Sequence, residues 1–160
     1  MIPEETVRFM VVGDPAPWTA QNQGSARSKA FLRMQAYQAQ VALTARTQWT
    51  AKGYDVLDQP VELKMLFVLR KPRNKRNPDG PDVTNLQKAC EDSLKGIIFF
   101  DDRTNYHVAA KKVISELSEG FTIIWASPMS ALTAQSITGL ARDVATAQGI
   151  QPPSDQPRWP

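Results

Sequence analysis

Residues 81–102 carry two acidic clusters with a lysine between them: Pro81-Asp82-Val83-Thr84-Asn85-Leu86-Gln87-Lys88 at one end and Asp101-Asp102 at the other. Carboxylates from two separated segments can hold a hard divalent cation if the fold brings them together. One cysteine and one histidine leave no set of soft ligands for a zinc site. A metal here would rest on oxygen donors, which points to Mg²⁺ or Mn²⁺. The chemistry these residue types offer is therefore a carboxylate-held cation with an amine beside it. Each part also has a plainer use. Asp82 can cap a helix, Lys88 and Asp92 can form a surface ion pair, and Asp101-Asp102 can be an ordinary turn.

Asp82 follows a proline and precedes Val83, Leu86, Cys90 and Leu94, an apolar stripe at helical spacing. Thr84, Asn85, Lys88 and Asp92 fall on the opposite side, and Gly96 is placed to end the helix. Ile97-Ile98-Phe99-Phe100 then reads as a short buried strand that stops at the two aspartates and delivers them to a sheet end, within reach of Asp82. Upstream, residues 7–12 read as a strand closed by Gly13-Asp14-Pro15-Ala16-Pro17, and 19–29 as an exposed polar loop. Residues 30–52 lack proline and glycine; Phe31, Met34, Tyr37/Gln38, Val41, Ala45 and Trp49 approximate a helical stripe that stops at Gly53. Trp18, Tyr37 and Trp49 could stack on bases, but aromatics at this spacing more often belong to a core. Residues 61–69 alternate as a strand. Residues 104–115 read as another, with 121–126 returning as its antiparallel partner after the Glu119-Gly120 turn. Residues 128–148 form a weakly amphipathic helical pattern carrying Met129, Leu132, Ile137, Leu140 and Val144. The proline-rich tail from Gln151 reads as extended or disordered. The expected fold is a single α+β domain over 1–150, with one mixed sheet and helices packed on it in the order β-α-β-α-β-β-α.

At 160 residues, with 42% hydrophobic and 22% charged residues, the chain has the composition of an ordinary globular domain. It holds no apolar stretch long enough for a membrane span, and its acidic start does not read as a signal peptide. One cysteine fits a reducing cytoplasm. The net charge is +3, and its distribution says more than its size. Arg70, Lys71, Arg73, Lys75 and Arg76 lie directly upstream of the acidic stretch. Arg27, Lys29 and Arg33 form a second basic group, and Lys111-Lys112 a third. Positive charge around an acidic cation site suits a polyanionic substrate, although a basic loop alone is more often only solvated.

The run from Asp82 to Lys88, the helix after it, the apolar turn and Asp101-Asp102 together resemble the core signature of RusA-type Holliday-junction resolvases. That family's pattern is close to Asp-x-Asp-Asn-Leu-x-Lys, a helix containing Asp and Leu, Asp-Asp, and a later lysine. Here Asp92, Leu94 and Lys112 take the later positions. The likeness is strongest over 81–112 and weaker over 7–69. It departs at Thr84, where the family has a second aspartate. A neutral hydroxyl removes one negative charge, which would lower metal affinity, shift the burden to Asp101, or draw in Asp79.

The resemblance implies a homodimeric Mg²⁺-dependent endonuclease that makes paired nicks in branched DNA, in a setting of recombination and repair that is typically phage-derived. On that reading Asp82, Asp102 and Asp101 ligate the metal, Lys88 stabilises the reacting phosphate or orients water, and Asn85 positions a ligand or loop. Arg27, Lys29, Arg70, Lys71, Arg73, Lys75, Arg76, Lys111 and Lys112 would bind DNA. Two other readings compete: a nuclease for flaps, forks or plain duplex, and an inactive DNA-binding module of the same fold.

Overall fold

The computed structural model of the protein describes residues 1–19, 28–73 and 77–129. Strand β1 (Val7–Val12) alternates strictly: Val7, Phe9 and Val11 are buried while Arg8, Met10 and Val12 face outward. Helix α1 (Lys29–Ala51) starts at Ser28, whose Oγ accepts from the Phe31 N–H at 3.1 Å. Its buried residues are Met34, Tyr37, Val41, Ala45 and Trp49, the stripe expected from the sequence. Strand β2 (Val61–Arg70) leads by way of a turn to helix α2 (Val83–Leu94), capped by Asp82. Leu86, Ala89, Cys90, Ser93 and Leu94 form its buried face. Gly96, at φ +70°, takes the left-handed conformation that ends the helix.

The apolar run after Gly96 is not a strand. Ile97 and Ile98 N–H groups both bond back to the Leu94 carbonyl, and Gly96 N–H bonds forward to Phe99 O at 2.7 Å. The run is a tight turn. Ile97, Ile98 and Phe99 fill the core beneath the helix end, and Phe100 points outward. Burial made these residues apolar, and a short apolar run has no periodicity that separates a buried turn from a buried strand. A 3₁₀ turn over Asp102–Thr104 follows and opens strand β3 (Asn105–Ser115), after which comes β4 (Phe121–Pro128).

These strands form one mixed sheet in the order β1-β4-β2-β3. The expected α+β fold with helices on a single mixed sheet holds, but the expected pairing of the last two strands does not. β3 lies parallel to β2 at the sheet edge, joined to it through α2, and β4 runs antiparallel between β1 and β2. The side chains explain the order. β4 is apolar on both faces, with Thr122, Ile124 and Ala126 fully buried on one and Phe121, Ile123 and Trp125 half-buried on the other, so it suits a central position. β3 presents His107, Lys111 and Lys112, which suit an edge. Pro128 ends β4 and does not begin a helix; the rest of the expected 128–148 helix, beyond Met129, and the tail from Gln151 lie outside the described residues. Met1–Pro128 is one compact unit.

α1 and α2 cover one face of the sheet, and Trp49, Phe67, Phe99, Leu86 and Ile124 make the bulk of the core. Inside it, Tyr37 Oη and Thr122 Oγ1 share a hydrogen bond of 2.8 Å that ties α1 to β4. Burial pushes both the Tyr37 phenol and the Cys90 thiol well above their usual range, so both are structural and neutral. The β3–β4 turn is anchored at Gly120, whose N–H donates to Asp14 Oδ1 at 2.8 Å. A Cβ at Gly120 would stand 2.5 Å from the Val68 carbonyl oxygen. Gly120→Ala is expected to lower unfolding stability by about 1–3 kcal/mol through this clash, read as a fall in the urea midpoint at unchanged m-value.

Candidate functional site

Helix α2 sets the spacing of every acidic residue singled out by the sequence. At its start, Asp82 Oδ1 accepts from the Thr84 N–H at 2.9 Å, a cap geometry that leaves the second oxygen directed away from that bond. The turn entering α2 is clamped from below by Lys112. Its Nζ donates to the carbonyls of Asp79 and Pro81 at 2.8 and 2.9 Å. Lys112 thus holds the Asp82 end of the helix in place. Thr84 and Asn85 are exposed on the first turn.

At the far end of α2 a second acidic group gathers. Asp102 Oδ2 lies 3.1 Å from Lys95 Nζ, and Lys95, the residue that ends α2, is 3.8 Å from Asp92 Oδ1. The hydrogen bond that Lys95 donates to the Asp102 carboxylate raises the Lys95 pKa above its ordinary value. Asp101 caps the 3₁₀ turn, accepting from the backbone N–H of Arg103 at 3.0 Å and its Nε at 3.1 Å. The Arg103 backbone bond, then the neighbouring Asp102, hold the Asp101 carboxyl down at about 2. Half-buried Glu91 is pushed up from the usual carboxylate range, first by desolvation and further by the negative charges of Asp102 and Asp92. Lys95 and Glu91 were not singled out from the sequence. The available signal was the i,i+3 spacing of Asp92 and Lys95.

Asp82 and the Asp101-Asp102 pair therefore sit at opposite ends of α2, a helix of 12 residues and about 18 Å. One chain does not bring them together. Among the described residues, no group of three or more His, Cys, Asp or Glu side chains is placed to hold a metal ion. The donor chemistry suits a hard cation, but the spacing within a single chain does not. The reason is the turn at residues 96–100. An extended strand there would have carried the aspartates back along the helix, whereas the tight turn leaves them at its C-terminal end. β3 then runs back alongside α2, so that Lys112, towards its far end, reaches the Pro81 carbonyl just before Asp82.

Lys88 lies midway along the exposed side of α2. It does not pair with Asp92, which faces Lys95; its ammonium sits 3.7 Å from the centroid of the Trp18 ring. The Trp18 N–H donates to the Asn85 carbonyl at 2.8 Å, docking the segment after β1 onto the helix.

The basic residues divide. Arg70 is held by Asp14 through an Nε bond of 2.8 Å and an Nη2 ion pair, and it also reaches Ser118 O. Lys71 pairs with Glu116 at 2.8 Å. Both line a cleft of about 800 Å³ together with Arg33, Arg73, Gly80 and Pro81. The cleft lies outside the carboxyl ends of the parallel strands β2 and β3, where open sheets with parallel strands place ligands. Arg33 was noted in the sequence only as part of a basic group; its spacing of four from Lys29 on α1 was the signal that it shares that helix face. Lys29 is exposed at the start of α1 and Lys111 on edge strand β3, while Arg27, Lys75 and Arg76 lie outside the described residues.

No curated protein matches the chain. The family model described as "Endodeoxyribonuclease RusA" matches residues 13–123, more than half the sequence. That span takes in the cleft, Trp18, both ends of α2 and the 3₁₀ turn that carries the aspartates. Helix, acidic ends and basic cleft are thus parts of one inherited unit, and the chain belongs to the RusA endodeoxyribonuclease family.

Proposed function

We propose that the protein is a Mg²⁺-dependent endonuclease that resolves four-way DNA junctions, with each active site assembled from two copies of the chain. Membership of the family supports the endonuclease activity on Holliday junctions. The observation that carries the assembly is the placement of Asp82 and Asp102 at opposite ends of α2. Two copies related by a two-fold axis and packed with their α2 helices antiparallel set the first end of each helix against the last end of the other. Such an isologous contact repeats itself. It yields two equivalent sites, each with Asp82 from one copy and the Asp101-Asp102 turn from the other. A four-way junction has near two-fold symmetry of its own, so two equivalent sites match two symmetric nicks.

Bound between such carboxylates, a divalent cation would supply charge neutralisation at the phosphate and activate water for attack. The chain's own residues do the rest. Lys88 offers an ammonium to the developing charge on phosphorus, and Asn85 orients a ligand by hydrogen bonding. Arg33, Arg70, Lys71 and Arg73 grip the phosphate backbone in the cleft, with Lys29 and Lys111 further out. Lys95 holds the Asp102 carboxylate in place until a cation competes for it. Thr84 makes the site one charge poorer than the family pattern, which favours weaker metal binding over loss of the site.

Four outcomes follow. Synthetic four-way junction is expected to be nicked in pairs with Mg²⁺ and left whole without it; linear duplex should stay uncut in gel assays of both. Equal cutting of duplex would support the flap, fork or duplex nuclease, and binding without nicking would support the inactive module. Asp82→Asn and Asp102→Asn are each expected to abolish nicking and to retain junction binding in a mobility-shift assay. When the two inactive proteins are mixed and allowed to exchange subunits, nicking should return to about a quarter of the wild-type level, because half of the dimers then hold one intact site of two. Sites built within one chain would give no recovery at all. Thr84→Asp should lower the Mg²⁺ concentration for half-maximal nicking roughly tenfold, equivalent to about 1.4 kcal/mol.

A further inference from the structure

Trp18 has no place in the reading above, and its surroundings are specific. The ring lies against the Lys88 ammonium at 3.7 Å from its centroid. Its backbone N–H is fixed to the Asn85 carbonyl, three residues before Lys88 on the same side of α2. The next N–H, of Thr19, donates to the Sδ of buried Met34 on α1 at 3.1 Å. The ring itself packs partly buried against the hydrophobic core. Trp18 is thus anchored to both helices, and it is the rigid partner of the contact. Lys88 is the movable one, since a lysine side chain otherwise samples many rotamers in water.

We propose that Trp18 is the positioning residue for Lys88. The inference rests on the reading of Lys88 as the group that meets the reacting phosphate. A cation over a ring face is attracted by the ring quadrupole without being neutralised. An acidic partner would hold the same ammonium but would compete with phosphate for its charge and donors. The ring touches one side of the ammonium and leaves N–H donors on the other side directed to solvent, where a phosphodiester would lie. Trp18 therefore orders Lys88 before substrate arrives and keeps its full positive charge available. Among the described residues, the carboxylates on α2 and at its cap have other partners: Glu91 accepts from Gln87, Asp92 is with Lys95, and Asp82 caps the helix.

The test is a double-mutant cycle on single-turnover nicking of four-way junction, with junction affinity measured alongside. Trp18→Leu should slow nicking on the order of 3–10-fold with affinity unchanged, the range set by losing a cation–π contact and the order it imposes. Trp18→Phe, which keeps a ring face, should restore most of the rate. Lys88→Met should be far slower, and adding Trp18→Leu to it should cost nothing more, because Trp18 acts only through Lys88. By NMR the Lys88 ε-methylene protons should be shifted upfield by the ring current in the wild type and in Trp18→Phe, and lose that shift in Trp18→Leu. Equal losses from Trp18→Leu in wild-type and Lys88→Met backgrounds would overturn the proposal and leave Lys88 catalytic. So would weakened junction affinity matching the rate loss, which would place the ring on DNA. Lys88→Met nicking at the wild-type rate would overturn the catalytic reading of Lys88 itself.

Discussion

A helix cannot be shortened. Between Asp82, which caps the first turn of α2, and Lys95, which ends it and holds Asp102, stand 12 residues in regular α-geometry. Every hydrogen bond along that segment fixes a rise per residue, so the separation of its two acidic ends is set by covalent structure and backbone bonding alone. The buried face locks the helix onto the sheet through Leu86, Cys90 and Leu94, leaving it no freedom to bend. Carboxylates at the two ends of such a rod can meet only by pairing rods. A shared site of the proposed kind would therefore draw its two acidic parts from two copies, as a geometric consequence of the helix that carries them.

Charge in this fold serves structure before it serves a substrate. Lys112 is engaged by two carbonyls under the entry to α2, and Arg70 is bound to Asp14 and the turn around Ser118. Asp14 in turn accepts from Gly120. One carboxylate thus joins β1, the end of β2 and the β3–β4 turn at the mouth of the basic cleft. These exposed pairs contribute little stability each. What they do is fix the rim of the cleft, so that Arg33 and Arg73 face into a space of defined shape.

The sheet explains how one face can be given to helices and one edge to charged side chains. β4, apolar on both faces, sits between β1 and β2, where it is covered by neighbours on either side. β3 takes the outer position and accommodates lysines on its strand. Chain order suggested a hairpin of β3 and β4. The structure instead places β2 between them, which leaves β3 and its lysines at the sheet edge.

What the sequence determined by itself was local. Asp82 as cap, Gly96 as stop, and the stripes of α1 and α2 follow from spacing and from which residue types tolerate each backbone conformation. The identity of the acidic residues and of Lys88 was equally legible, as a pattern of types at fixed intervals along one chain. Their distances were not. Whether residues 97–100 extend or turn depends on a Leu57 carried in from elsewhere in the fold, whose N–H takes the Ile98 carbonyl at 2.8 Å. Whether Lys88 faces Asp92 or a ring depends on Trp18, which lies far from it in sequence. Both outcomes rest on contacts between segments distant along the chain, and side-chain periodicity reports only on neighbours within a few residues. Only the tertiary structure could decide that the two acidic clusters face apart.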